Sequence, residues 1–201
     1  MLAAGAGSRF GGGKLLAPFG GRALIEATLL GLRGAPVNET IVVVGIDVKG
    51  LRGLCESYGV RLAENPDWAE GMATSVKKGL SACSPDADAA VLMLGDQPLV
   101  GARAVERLVE AHEGGAAVAV ATYGGRRRNP ALFAHGTWPM LEEELSGDEG
   151  ARGFLKRHPE MVTEVPCGDL ADPTDVDTRE DLRRLEERGL GEPMNQKEAR
   201  R

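Results

Sequence analysis

Aromatic side chains make up only 4% of the chain, and it carries just three cysteines and three histidines. Each shortage removes a class of protein. Cys55, Cys83 and Cys167 are odd in number, far apart and without CxxC spacing, which excludes a disulfide framework or a zinc ribbon and predicts plain thiols. His112, His135 and His158 fall at irregular separations with no metal-ligand pattern, so structural roles are expected for them. No apolar run approaches the ~20 residues of a membrane-spanning helix, and the opening residues lack the regions of a secretory signal. A cytoplasmic protein without a membrane partner is therefore expected. Basic residues are in the minority, 24 against 30 acidic, which argues against a surface made to neutralise nucleic acid phosphates.

What is present suits an ordinary globule: 201 residues, 42% hydrophobic and 27% charged, fit neither the disordered nor the fibrous class. Short apolar runs alternate with amphipathic stretches, the mark of βαβ units around a mostly parallel sheet. Strands are expected at Ile41 to Val44, Ala89 to Leu94, Ala116 to Thr122 and Val162 to Val165. Apolar residues three and four apart predict helices at Ala23 to Leu32, Gly50 to Tyr58, Met72 to Ala82, Ala102 to Ala111 and Thr137 to Leu145. A last helix should start from Thr178 as N-cap and end near Gly189. Residues 1–188 then form one domain, and the polar, aperiodic residues 189–201 predict a mobile tail.

The opening segment LAAGAGSRFGGGK, Leu2 to Lys14, sets a short apolar strand before a loop with five glycines and two cations. Glycine lets backbone amides converge on anionic oxygens, Arg9 can fork onto them, and Lys14 supplies a point charge. A P-loop counted back from Lys14 fails at Ser8 and Leu15, and a dinucleotide fingerprint begun at Gly5 fails at Phe10. A surface loop without a ligand is the alternative. Asp96 follows the apolar run from Ala89, which puts it at the carboxyl end of a strand, where open α/β sheets bind ligands. It suits magnesium, which takes carboxylate oxygen together with substrate phosphates. A turn aspartate before Pro98 is the other reading.

The opening motif resembles the signature of nucleotidyltransferases that make activated sugars and related cofactors. The resemblance continues through NPDWAEGMATSVKKGL (Asn65 to Leu80), GDQP (Gly95 to Pro98), NPALF (Asn129 to Phe133), LSGDEGAR (Leu145 to Arg152) and DVDTREDL (Asp175 to Leu182). Together these segments resemble the molybdenum cofactor cytidylyltransferases of the MobA-like NTP transferase family. The guanylyl branch differs where this chain has GMATSVKKGL. The resemblance implies a three-layer, Rossmann-like α/β fold with a mostly parallel central sheet, Mg2+ as cofactor, and CTP and molybdopterin as substrates. It implies a nucleotide site at Ala3, Ala4, Gly5, Gly7, Ser8, Arg9, Lys14, Asn65, Gly71, Thr74, Ser75 and Asp96, with a cap or turn role as the alternative for Asn65, Gly71, Thr74 and Ser75. Catalysis falls to Arg9, Lys14 and Asp96, and the metal to Asp96 and Asp177. Asp175 is an alternative to Asp177, and both could instead cap the following helix. Members of that family carry more strand residues before LAAG, so a truncated first strand is expected.

The implied reaction is attack by the terminal phosphate of molybdopterin on the α-phosphorus of CTP, releasing pyrophosphate. An anionic nucleophile needs no general base, so positioning and charge stabilisation can carry it. Arg126, Arg127 and Arg128 could attract the anionic acceptor or form a solvated face. A molybdoenzyme or its chaperone is a possible partner in this scheme. The alternatives are guanylyl or other nucleotidyl transfer to molybdopterin or a sugar phosphate, or a chaperone that holds the cofactor without turnover.

Overall fold

Ile41 to Val44 places four β-branched side chains in a row, and all four are buried, so this strand must be covered on both faces. The fold, seen in a computed structural model that describes residues 1–188, is built around that requirement. In chain order the elements are β1 (Leu2–Ala3), β2 (Pro18–Phe19), β3 (Arg22–Ala23), α1 (Leu24–Gly31), β4 (Ile41–Val44), α2 (Val48–Ser57), β5 (Arg61–Glu64) and α3 (Met72–Ala82). There follow β6 (Ala89–Leu92), α4 (Ala102–Glu113), β7 (Val118–Tyr123), β8 (Arg126–Ala134), α5 (Trp138–Glu144), α6 (Ala151–Arg157), β9 (Val162–Pro166) and α7 (Arg179–Glu187). The expected tail from Gly189 lies outside the described residues.

β1, β4 and β5 pair in parallel, and β6, β8, β7 and β9 pair in that order. The two groups meet where the Leu2 amide donates to the Met93 carbonyl at 2.7 Å and the Gly95 amide donates to the Leu2 carbonyl at 2.9 Å. Among the described residues β8 alone runs against the other strands of this twisted sheet. It returns from β7 through Gly124 and Gly125, with φ of 56° and 73°, the left-handed pair that a two-residue hairpin requires.

Alternate side chains sort the helices into two outer layers. Val42 and Val44 pack with Ile25, Leu29, Leu51 and Cys55 of α1 and α2, and Ala119 and Ala121 pack with Leu108 of α4. On the opposite face Val118, Val120 and Phe133 meet Val76, Leu141 and Phe154 of α3, α5 and α6. Each fully covered aliphatic side chain contributes about 1.5–3 kcal/mol, so both faces are needed to hold the sheet. The three-layer α/β architecture is the expected one.

At the last helix, Thr178 Oγ1 accepts from the Asp181 amide at 3.1 Å while Asp181 Oδ2 accepts from the Thr178 amide at 2.8 Å. This reciprocal cap fixes the start of α7. Leu182 and Leu185 then pack with Phe10, Phe19 and Leu24, joining the end of the described chain to the glycine loop.

Candidate functional site

The site lies where the parallel strands β1, β4, β5 and β6 end. After β1 the chain turns at Gly7 (φ 59°), and the amides of Phe10, Gly11 and Gly12 all donate to the Gly7 carbonyl at 2.9–3.1 Å. Phe10 is 3% exposed and pins the loop to the core, with the Arg179 guanidinium 4.8 Å from its ring centre. Gly11, Gly12 and Gly13 keep positive φ, so the chain can swing back and deliver Lys14.

Lys14 Nζ donates to Asp96 Oδ2 and lies 3.7 Å from Asp177 Oδ1, while Arg9 pairs with Asp177 Oδ2 at 2.9 Å. Four sequence-expected residues thus converge from three distant segments. Asp96 is positioned by its backbone: its carbonyl accepts from the Val176 amide at 3.0 Å, and the neighbouring Gly95 carbonyl accepts from buried Thr28 Oγ1 at 2.9 Å. Of the two alternative aspartates, Asp177 joins this cluster. Asp175 turns to Gln97, whose Nε2 donates to its carboxylate at 2.7 Å. Burial, reinforced by the negative charge of Asp96, pushes the Asp175 carboxyl above the usual aspartate value, against the opposing hydrogen bond from Gln97.

A cavity of about 320 Å³ opens beside the cluster, bounded by Gly5, Trp68, Gly71, Ser75, Asp96 and Asp148 among others. Ala4 also lines it, whereas Ser8 and Arg9 lie on the exposed side of the loop. Asn65 and Thr74 act as struts. Asn65 Nδ2 donates to Thr74 Oγ1 at 2.9 Å and to Ser75 Oγ at 3.0 Å, its Oδ1 accepts from the Asp67 amide at 3.1 Å, and its side chain is buried. Every polar atom of that amide is occupied, so it ties β5 to α3 and fixes Ser75 at the cavity wall. Ala3 is a buried residue of β1.

Gly71 (φ 117°) precedes α3, and a Cβ there would come 2.6 Å from the Gly147 carbonyl carbon. That close approach lets the Ala73 amide donate to the Gly147 carbonyl at 2.9 Å and brings the Asp148 segment to the cavity. The three arginines are divided by strand alternation. Arg127 is held by Glu164 at 2.8 Å and the Leu155 carbonyl at 2.9 Å, while Arg126 and Arg128 fall on the other face of β8. Trp68 and Asp148 were not singled out in the sequence. Trp68 could have been, as a large ring in NPDWAEG beside candidate ligand residues.

Among the described residues no group of three or more His, Cys, Asp or Glu could hold a metal by itself. The pair Asp96 and Asp177, gathered around one ammonium, instead fits a hard cation shared with phosphate oxygens. No helix among the described residues is long and apolar enough to cross a membrane.

The chain is 33% identical over 193 residues to nicotine blue oxidoreductase of Paenarthrobacter nicotinovorans, covering 92% of this chain and 94% of that one. A crystal structure of the Mycobacterium tuberculosis Rv0371c homologue from Mycobacterium sp. strain JC1 superposes with a TM-score of 0.80 at 33% identity, over 92% of both chains. Rv0371c from Mycobacterium tuberculosis H37Rv, solved in complex with manganese, gives a TM-score of 0.73 at 29% identity, over 92% of this chain and 95% of that one. The MobA-like NTP transferase domain matches residues 1–162, which carry the glycine loop, Lys14, Asp96 and the cavity walls. The chain belongs to the MobA-like NTP transferase family, and its fold and loop are those of a nucleotidyltransferase.

Proposed function

We propose that this protein transfers CMP from CTP to the terminal phosphate of molybdopterin, with Mg2+ as the assisting ion, in the cytoplasm. The observation that carries this reading is the convergence of Arg9, Lys14, Asp96 and Asp177 in one charge cluster, which meets a cavity of about 320 Å³ at Asp96. That volume falls within the usual range for small-ligand sites. The choice of cytosine as base and molybdopterin as acceptor rests on the motif resemblance set out above.

Arg9 and Lys14 hold the triphosphate, and the glycine loop lets backbone amides approach it. Asp96 and Asp177 hold the divalent ion, which supplies charge neutralisation on the phosphates when bound. Ser75 faces the nucleoside side of the cavity and Trp68 offers a ring face to a planar heterocycle. An acceptor phosphate oxygen forms a bond to the α-phosphorus of CTP as the α–β phosphoanhydride bond breaks, and pyrophosphate leaves with the electron pair. Alignment and the fixed positive charge of Arg9 and Lys14 lower the barrier, with no proton abstracted.

The test is pyrophosphate release with each nucleoside triphosphate, Mg2+ and molybdopterin. CTP should be used most rapidly; equal turnover of GTP would defeat the cytidylyl assignment, and binding without release would favour a cofactor-holding chaperone. The oxidoreductase name of a relative that is 33% identical over nearly the whole chain motivates a second reading, hydride transfer from a dinucleotide held in the same cavity. Oxidation of a reduced nicotinamide dinucleotide with a dye acceptor, without pyrophosphate release, would establish that reading instead.

A further inference from the structure

Lys14 occupies an unusual position for a phosphate-binding lysine: its ammonium sits between the two carboxylates assigned to the metal. It donates to Asp96 Oδ2 and lies 3.7 Å from Asp177 Oδ1. The Lys14 and Asp96 side chains are only 14% and 18% exposed, so the pair lies largely out of water. There, removal of one partner leaves a charge without compensation. The Lys14 backbone is held in a short turn after Gly13, and a Cβ on Gly7 would come 3.2 Å from Lys14 Cβ. The base of the side chain is fixed, while its flexible stem can carry the ammonium elsewhere.

We propose that Lys14 is an internal placeholder for the divalent ion, and that it gives up this seat only when a triphosphate arrives to receive its ammonium. This rests on the nucleotidyltransferase reading and goes beyond it. A cation arriving alone meets the Lys14 ammonium already between Asp96 and Asp177. A triphosphate arriving alone meets those two carboxylates. Joint arrival places every charge opposite its complement: Lys14 and Arg9 on phosphate oxygens, Asp96 and Asp177 on the ion. Arg9 can make its part of the exchange freely, because its side chain is 75% exposed and its pair with Asp177 is a surface one. Lys14 would therefore make metal and nucleotide binding strongly cooperative, and would keep the empty site from collecting ions.

Manganese affinity, read by electron paramagnetic resonance without turnover, tests this in the wild type, Lys14→Met, Lys14→Gln and Arg9→Ala. Without nucleotide, both Lys14 variants should bind Mn2+ at least about tenfold more tightly than wild type, because a competing buried cation is gone. Arg9→Ala should change it by no more than about twofold, as for an exposed ion pair. A non-hydrolysable CTP analogue should tighten Mn2+ binding about tenfold or more in the wild type and much less in the Lys14 variants. Equal Mn2+ affinity in wild type and Lys14 variants overturns the placeholder while leaving the transferase reading intact. So does a wild-type affinity indifferent to the analogue, which decides the matter even if the Lys14 variants do not fold. Absence of Mn2+ uptake with the analogue present overturns both.

Discussion

Trp68 stands over Gly45 at the end of β4: a Cβ on that glycine would come 2.3 Å from Trp68 Cγ. Glycine is thus required for Trp68 to come this close to the end of β4, where it forms part of the cavity wall. Both proposed substrates carry planar heterocycles, so Trp68→Ala should weaken binding of one of them about tenfold by calorimetry, with Trp68→Phe retaining most of the affinity. The carboxylate opposite makes a different kind of contribution. Asp96→Asn keeps the shape of the side chain but loses its charge and leaves the largely covered Lys14 ammonium without its nearest partner, so pyrophosphate release should fall at least about a hundredfold and the melting temperature should fall as well. Comparable rates in Asp96→Asn and wild type would remove Asp96 from the catalytic set.

Among the elements, α5 and α6 are joined at their ends by a compact charge contact. Glu144 accepts from Arg157 Nε at 2.7 Å and lies 2.6 Å from His158 Nε2. The hydrogen bond from Arg157, then that from His158, holds the Glu144 carboxyl below its ordinary value of 4.5. A depressed folded value means the stabilisation is present above that ordinary value and is lost as pH falls through the folded one. Glu144→Gln should therefore lower the melting temperature at neutral pH, and the difference from wild type should close in acid. A gap that widened in acid would contradict this assignment.

Elements with strong apolar periodicity were legible in the sequence: α3 has the expected bounds, β4 is the expected strand, and Thr178 caps α7. Others were hidden for identifiable reasons. β8 begins with three arginines, and at its irregularity opposite Val120 and Ala121 Asn129 and Pro130 interrupt the ladder, so its alternation is masked. Its signal was the Gly124-Gly125 turn rather than the strand. β5 reads Arg-Leu-Ala-Glu, too short and polar to stand out, and α6 contains Gly153 in seven residues. At the site, Arg9, Lys14 and Asp96 could be named because loop and strand-end positions carry recognisable chemistry. That Asp177 rather than Asp175 meets Lys14 depends on the path of the 173–178 segment, which local sequence does not determine.

At the scale of the whole molecule, the glycine loop is supported from far away in sequence. Phe10 shares a buried cluster with Val176, Leu182 and Leu185, and Arg179 covers its ring. Phe10→Ala should cost about 3–5 kcal/mol, as for other buried aromatics, and should weaken triphosphate binding as well as lower the melting temperature. A stability loss with unchanged nucleotide affinity would mean that the loop keeps its shape without this anchor. The family match stops at residue 162, before α7 and before Asp177. A fragment cut at that border would keep the signature motif in full and yet lack the floor beneath it, so recognisability and self-sufficiency end at different places along this polypeptide.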